Sequence, residues 1–188
     1  MILAGGEGKR IGGGKPLLRL RNERLIDRAL RLAQKWSDMR AVSVHDPAQV
    51  EPVDAPVIID QPGVGGPMGG LISALLFGAR SGREFVLTIP ADMPFLPWQL
   101  LDRLRSEIGD CGCAIASSGK HLHPVCGLWR ISALDRVGDY FAGEKRSLRA
   151  FATLIGLQEV EWPVAPDDPF FNINTAHDLA EAERRAAN

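Results

Sequence analysis

Hydrophobic positions along this 188-residue chain fall into two alternating kinds of segment. Short apolar runs are typical of buried strands, and longer segments with apolar residues three and four positions apart are typical of helices. The predicted strands are residues 1–4, 40–45, 56–59, 84–89, 112–116, 125–129 and 158–162. The predicted helices are residues 25–36, 68–81, 97–107, 131–140, 145–155 and 176–185.

This alternation is typical of βαβ units and predicts an α/β fold, a three-layer α/β/α sandwich with a mostly parallel, Rossmann-like sheet. The length suits a single domain over residues 1–188. The predicted first strand is unusually short, because only Met1, Ile2 and Leu3 precede a glycine-rich turn, whereas strands usually have about 5–6 residues. We therefore expect either a short first strand or further strand residues upstream of Met1.

Composition and charge exclude several classes of protein. The chain is 45% hydrophobic and 24% charged, as soluble globular proteins are. Its formal net charge of -1 gives no electrostatic reason to expect a nucleic-acid partner. No apolar window approaches the ~18 residues of a membrane span, and the early glycine-rich turn does not fit a secretory signal. We therefore expect a cytoplasmic protein that binds neither nucleic acid nor membrane.

The cysteines Cys111, Cys113 and Cys126 are odd in number, and the first two have a C-x-C spacing. That spacing does not fit the C-x-x-C of zinc or redox sites. We expect free, mostly buried thiols in a reducing compartment.

Residues 3–17, LAGGEGKRIGGGKPL, contain six glycines. Glycines let the backbone approach a ligand closely, and successive N–H groups can form an anion-binding nest to which Lys9, Arg10 and Lys15 add positive charge. The predicted ligand is a triphosphate. The Walker loop and the dinucleotide fingerprint do not fit, because Lys9 and Ile11 occupy positions where those motifs need a small residue. A flexible surface loop is the alternative interpretation.

Carboxylates follow two of the predicted strands. Asp92 follows an apolar strand at the edge where open α/β sheets bind ligands, so it is a candidate Mg²⁺ ligand. A helix cap is the alternative role, but Asp92 lies several residues before the next predicted helix. Asp60 ends another strand ahead of a glycine-rich block, and either contacts a ligand or forms a turn. Ser43 lies near the end of a third strand.

Two polar segments lie in the second half of the chain. His123 belongs to HLHPVCGLW at residues 121–129, and is either a solvated histidine or a ligand contact. Asn172 and Asn174 belong to FFNINTAHDL at residues 170–179. These asparagines alternate along an extended segment, so both can point the same way, with Thr175 free to cap the following helix.

The first glycine loop resembles the signature of nucleotidyltransferases that activate cofactors and sugars, and its LAGG form most resembles the molybdenum cofactor guanylyltransferases. The segments GPMGGL at 66–71, ADMPFLP at 91–97, HPVCGL at 123–128 and FNINTAHDL at 171–179 are also similar to that family. The chain departs from the family pattern in two places. GGGK at 12–15 is one residue shorter than the usual Gly-Gly-x-Asp-Lys, and Ala91 stands where the family has Cys.

The resemblance implies Mg²⁺-dependent transfer of GMP from GTP to the terminal phosphate of molybdopterin or its molybdenum-loaded form, with release of pyrophosphate. It also implies transient contact with proteins that assemble molybdoenzymes. The implied catalytic residues are Lys15, Arg10 and Asp92, and Asp92 is the implied metal ligand. The implied nucleotide-binding residues are Leu3, Ala4, Gly5, Gly6, Lys15, Ser43, Asp60 and Asp92. The implied acceptor-binding residues are His123, Asn172 and Asn174.

Three alternative functions remain open at this point. A cytidylyltransferase acting on the same pterin is the nearest, although that family usually has LAAG where this chain has LAGG. A sugar-1-phosphate nucleotidyltransferase is the second, although such enzymes usually carry extra sugar-binding segments. A nucleotide-binding regulatory module without catalysis is the third, and the presence of both Lys15 and Asp92 disfavours it.

Overall fold

The computed structural model of the chain describes residues 1–6, 14–143 and 147–187. Its strands are β1 (Ile2–Leu3), β2 (Arg19–Leu20), β3 (Glu23–Arg24), β4 (Val42–Val44), β5 (Val57–Ile59), β6 (Phe85–Pro90), β7 (Cys113–Ser118), β8 (His121–Arg130) and β9 (Leu157–Trp162). Its helices are α1 (Leu25–Gln34), α2 (Pro67–Arg80), α3 (Leu100–Glu107), α4 (Val137–Ala142), α5 (Leu148–Ile155) and α6 (Ala176–Arg185). Short 3₁₀ segments span Lys15–Leu17, Pro47–Gln49 and Ile131–Arg136.

One sheet carries most of these strands, in the order β5-β4-β1-β6-β8-β7-β9. The four strands from β5 to β6 are parallel, β9 is parallel to β7, and β8 runs antiparallel to both of its neighbours. The predicted α/β class with a mostly parallel sheet is confirmed. The antiparallel β8 was not predicted, and it follows from the tight turn that joins it to β7.

Both faces of this sheet are buried under helices. Ala114 and Ala116 of β7 pack into the cluster that contains α1 and α3. Cys113 and Ile115 of the same strand pack into the cluster that contains α2 and α5. Since successive side chains of a strand point to opposite faces, helices cover the sheet on both sides. This double burial explains why the strands read as continuous apolar runs in the sequence.

The first strand is short, but its hydrogen-bonded ladder extends beyond Ile2–Leu3. Ala4 N donates to Ser43 O at 2.8 Å, and Ile89 N donates to Met1 O at 3.1 Å. The Met1 amino group donates to Leu87 O at 2.8 Å, and burial lowers its pKa to about 5. The strand therefore has backbone partners on both sides over the whole predicted range of residues 1–4.

Several predicted boundaries were wrong. The helix predicted over 97–107 begins at Leu100, because residues 94–99 form turns around two prolines. The helix predicted over 131–140 is a 3₁₀ segment, Ile131–Arg136, followed by α4. The helix predicted over 145–155 begins at Leu148 after the cap residue Ser147, and residues 145–146 lie outside the described residues.

Two strand predictions also need correction. The antiparallel pair β2 and β3 was missed, because each strand has only two residues, of which one in β2 and both in β3 are charged. The strand predicted over 125–129 begins earlier, at His121, and includes Pro124. The pairing of β8 with β7 is interrupted there by a register shift, so Pro124 needs no ladder partner. In the described part of the chain, no helix has both the length and the apolar character needed to cross a bilayer.

Candidate active site

The carboxyl ends of the parallel strands β1, β4, β5 and β6 meet at one edge of the sheet. Residues that directly follow these strands surround a cavity of about 250 Å³. Among the residues lining it are Leu3, Gly5, Gly6, Asp60, Asp92 and Asn172. Ala4, Gly6, Lys15 and Asp92 line a smaller neighbouring cavity of about 40 Å³. Predicted site residues from distant parts of the sequence therefore lie around one cleft, at the edge where open α/β sheets bind ligands.

Lys15 is the centre of a polar cluster in this cleft. Its ammonium group lies 2.5 Å from Asp92 Oδ2 and 2.8 Å from Asn174 Oδ1. The Oδ1 atom of Asn172 is 3.5 Å from the same nitrogen. The Lys15 and Asp92 side chains are only 14% and 19% exposed. We name these four residues the Lys15 cluster.

Local structure explains why the two asparagines reach Lys15. Ile173 N donates to Asp92 O at 3.0 Å, which fixes the C-terminal segment beside the turn after β6. Ile173 itself is fully buried. The Thr175 side chain caps α6 by accepting a hydrogen bond from Asp178 N. In return, the Asp178 side chain accepts a hydrogen bond from Thr175 N. Because Thr175 caps the helix, as predicted, the two asparagine side chains are free to contact Lys15.

One oxygen of Asp92 has no partner. Its Oδ1 atom is buried and accepts no hydrogen bond from any residue that the structure describes. A buried carboxylate oxygen without a donor is costly, so this atom favours a cation or a donor supplied by a ligand. Burial, with a smaller contribution from the Asp92 charge, raises the pKa of the Cys126 thiol well above its usual value.

The second polar group of the cleft is centred on Asp60, which is only 7% exposed. Ser43 Oγ donates to Asp60 Oδ1, and His45 Nδ1 lies 3.2 Å from Asp60 Oδ2. A Cβ atom added at Gly5 would lie 2.5 Å from Asp60 Oδ2. The backbone of the first loop therefore passes directly over this carboxylate, and only glycine fits at that point.

His45 lines the cavity and was not among the predicted site residues. It directly follows β4, as Asp60 directly follows β5, and Asp92 is the second residue after β6. That shared position at a strand end is the signal that could have identified it. Its ring is 45% exposed, so it can reach both Asp60 and a molecule in the cleft.

His123 lies in a separate hydrogen-bonded group. The Ser118 hydroxyl donates to Asp168 Oδ1 at 2.9 Å and lies 2.8 Å from His123 Nε2. Because that hydroxyl has a single proton, it accepts from a protonated Nε2. The His123 ring also stacks on Phe170, with centroids 4.7 Å apart. We name Ser118, His123 and Asp168 the Ser118 cluster.

Burial lowers the pKa of His123 below its usual value, although the Asp168 carboxylate partly opposes the shift. The ring is therefore mainly uncharged at neutral pH. No hydrogen bond among the described residues joins it to the Lys15 cluster. The predicted role of Arg10 cannot be placed in this geometry, since residues 7–13 lie outside the described residues. Within those same limits, no group of three His, Cys, Asp or Glu side chains forms a complete metal site.

Comparison with known proteins shows which family the chain is similar to. The model of the MobA-like NTP transferase domain matches residues 1–160. A molybdenum cofactor guanylyltransferase of Bradyrhizobium sp. (strain ORS 278) is 37% identical, over 100% of this chain and 92% of the relative. The enzyme of the same name from Rhizobium johnstonii is 39% identical, over 98% of this chain and 90% of the relative.

The solved structures that superimpose on this chain include a protein of molybdopterin-guanine dinucleotide biosynthesis. Molybdopterin-guanine dinucleotide biosynthesis protein A from Archaeoglobus fulgidus superimposes with a TM-score of 0.77 at 25% identity, covering 99% of this chain and 97% of that one. CMP:2-keto-3-deoxy-manno-octonic acid synthetase complexed with CTP has a TM-score of 0.74 at 13% identity, which shows a shared fold alone.

Proposed function

The chain belongs to the family of MobA-like NTP transferases and is a nucleotidyltransferase, and on that premise we propose that it transfers GMP from GTP to the terminal phosphate of molybdopterin or its molybdenum-loaded form. One observation carries the proposal. Lys15, Asp92, Asn172 and Asn174 converge from three distant parts of the chain at the cleft formed by the parallel strand ends.

The nucleoside half of GTP occupies the cavity between the first loop and Asp60. Its walls supply backbone groups from Leu3, Gly5 and Gly6, and the side chains of Asp60 and His45. Guanine presents both donors and acceptors, so a wall with carboxylate, imidazole and peptide groups can satisfy its edge. Ser43 and His45 hold the Asp60 carboxylate in one orientation from opposite oxygens. The likeness to the guanylyltransferase relatives supports guanine as the base.

The triphosphate lies beside Lys15. An ammonium group carries three donors, and Lys15 directs them at Asp92, Asn174 and Asn172. Phosphate oxygens replace the neutral amide partners, because charged hydrogen bonds are the stronger ones. By resemblance to the family motif, we expect Arg10 to add a further positive charge beside the triphosphate.

Asp92 is the residue that fits a divalent metal. Its Oδ1 atom is buried and has no hydrogen-bond donor in the described structure. Mg²⁺ commonly binds through one or two carboxylates together with substrate phosphates and water, so a single aspartate suffices. When bound, the metal would neutralise charge on the leaving pyrophosphate.

The acceptor approaches from the side of Asn172 and Asn174. Their amide groups donate and accept hydrogen bonds without adding charge, which suits the amide-like edges of a pterin. An oxygen of the acceptor phosphate forms the new bond to the α-phosphorus, and the bond between that phosphorus and the bridging oxygen of pyrophosphate breaks. The chain contributes positioning and charge neutralisation, and no side-chain nucleophile is required. Cytoplasmic location and contact with molybdoenzyme-assembly proteins stay predictions.

The test incubates the protein with each of the four NTPs, Mg²⁺ and molybdopterin, and measures pyrophosphate and the mass of any dinucleotide. We expect a guanine dinucleotide and pyrophosphate in equal amounts. A cytosine dinucleotide would overturn the choice of base and retain the reaction class. Nucleotide binding without pyrophosphate release would identify a binding module rather than an enzyme.

A further inference from the structure

A further cavity, of about 330 Å³, lies between α1 and the segment after β6, and we name it the α1 cavity. It is lined on one side by Ile89, Ala91 and Met93. The residues that alternate with these, Pro90 and Asp92, line the active-site cleft. The 330 Å³ and 250 Å³ cavities have no lining residue in common, although both border the segment that runs from β6 into the turn after it. The α1 cavity is therefore separate from the nucleotide cleft.

The floor of this cavity is apolar. Leu25, Ala29 and Leu32 contribute it from α1, and Ile89, Met93 and Leu96 contribute it from the other wall. Most of these side chains belong to the main hydrophobic core and are nearly buried, while Leu32, Phe95 and Trp98 are the more exposed apolar residues of the lining. At the rim, Trp98 is 63% exposed, while its carbonyl oxygen accepts a hydrogen bond from Trp36 Nε1 at 2.7 Å. A cavity of this size with an apolar floor is in the range of small-molecule sites.

The rim is positively charged. Arg28, Arg31 and Lys35 line the cavity from one face of α1, and the lining contains no carboxylate. Glu23, which is outside the lining, pairs with Arg31 at 2.9 Å through both oxygens and with Arg28 at 3.4 Å. Lys35 has no ion-pair partner in the described part of the chain. The three cations at the rim face a single pairing carboxylate, that of Glu23, so the rim has an excess of positive charge. The whole chain, by contrast, has a formal net charge of -1.

The cavity wall is also held in place. Arg28 Nε donates to Pro94 O at 2.8 Å, and its guanidinium carbon lies 6.0 Å from the centre of the Phe95 ring. These contacts join α1 to the far wall, so the opening is a fixed feature of the packing rather than a gap between loose segments.

We propose that the α1 cavity is a binding site for a small amphipathic anion, with an apolar body seated on the floor and one acidic head group at Arg31 and Lys35. The site is distinct from the nucleotide cleft, and the ligand class follows from the combination of apolar floor and unbalanced positive rim.

The probe for this site is anilinonaphthalene sulfonate, an aromatic body with a single anionic group that fluoresces when bound to apolar surface. We expect saturable binding of one molecule per chain. Excitation of tryptophan should also excite the bound dye, because Trp98 lies at the rim, and Trp98→Phe should reduce that transfer without removing binding.

Charge variants test the head-group contact. Arg31→Gln combined with Lys35→Gln should weaken dye binding roughly threefold to tenfold, the loss expected for two exposed charge contacts. The matched control is Arg83→Gln combined with Arg105→Gln, which removes two exposed cations that do not line the cavity and should leave the affinity unchanged. Equal affinity in both double variants would overturn the proposal.

A filling variant tests the floor. Ala29→Leu places a larger side chain in the cavity and should abolish binding at dye concentrations that saturate the parent protein, with the melting temperature confirming the fold. Unchanged binding would overturn the proposal. So would displacement of the dye by GTP and Mg²⁺ in a simple competitive manner, because it would place the dye in the nucleotide cleft. None of these measurements depends on guanylyl transfer.

Discussion

The Lys15 cluster and the Ser118 cluster contain similar polar groups but differ in how completely those groups are satisfied. The Ser118 hydroxyl is hydrogen-bonded to both His123 and Asp168, and Asp168 Oδ1 also accepts from Phe170 N at 2.9 Å. In the Lys15 cluster, Asp92 Oδ1 is buried without a donor, and one ammonium group is shared among three oxygens. A saturated group stabilises the fold, whereas an unsaturated one is available to a ligand.

The two clusters are physically linked. Phe170, on which His123 stacks, immediately precedes the segment that carries Asn172 and Asn174. The Ser118 cluster therefore positions the segment, and two asparagines of that segment contact Lys15. This division predicts large effects on turnover from one cluster and effects mainly on stability from the other.

The largest expected effect is that of Asp92→Asn. The amide keeps the shape of the side chain but loses the charge that holds a hard cation, so pyrophosphate release should fall at least about a hundredfold. The protein should remain folded, because Lys15 retains its contact with Asn174. Pyrophosphate release measured against Mg²⁺ concentration, with circular dichroism for the fold, checks both statements.

Asp168→Asn is the matched control, since it makes the same chemical change in the saturated cluster. Its turnover should stay within about tenfold of the parent, because the residue acts through the position of a segment and not on the reacting atoms. Similar turnover losses in the two variants would remove the distinction between the clusters.

Lys15→Ala should weaken GTP binding about tenfold to hundredfold, since a charged hydrogen bond to phosphate contributes about 1.5–3 kcal/mol. Calorimetric titration with GTP measures the change, and Arg105→Ala controls for the loss of an exposed cation. Unaltered GTP affinity in Lys15→Ala would transfer the phosphate-binding role to Arg10 or Lys9.

The sequence was sufficient to identify the members of the Lys15 cluster but not their contacts. Asp92 was recognisable because it ends an apolar strand, and Lys15 because it ends a glycine-rich loop. Residues 15, 92 and 174 come together only because β1 lies beside β6 and Ile173 binds the Asp92 carbonyl. Neither pairing leaves a periodic signal in the sequence.

The Ser118 cluster was harder to predict. Ser118 and Asp168 are separated by 50 positions and belong to no recognisable motif. The sequence predicts His123 as a ligand contact or a solvated residue, whereas in the structure it is hydrogen-bonded within the fold. The mostly parallel sheet was predictable from the alternation of apolar runs, whereas the β2–β3 pair was too short and too polar to produce such a pattern.

Asp168→Ala should lower the free energy of unfolding by about 1–3 kcal/mol, because it leaves the Ser118 hydroxyl and the Phe170 N–H without their acceptor. Ser118 is 1% exposed, so water does not readily replace that partner. Urea denaturation measures the loss. An unchanged midpoint, together with a large fall in turnover, would show that the Ser118 cluster acts in the chemistry and not in the fold.

The smallest expected effect is a pH dependence of stability due to His123. Its folded-state pKa is lowered, first by burial, below the unfolded value of about 6.5. As the pH falls below that unfolded value, the unfolded chain takes up a proton that the folded chain does not, so stability is lost on acidification.

The slope per proton is at most about 1.4 kcal/mol per pH unit. The buried Met1 amine contributes in the same direction between its folded pKa of about 5 and the usual amine value of 8.0. The His123 contribution is therefore the difference between the parent and His123→Gln. We expect the variant to lose less stability than the parent between pH 7 and pH 5.5. A steeper loss in the variant would mean that the folded state favours a charged His123, which would place a neutralising imidazolium beside the acceptor and break the contrast between the two clusters.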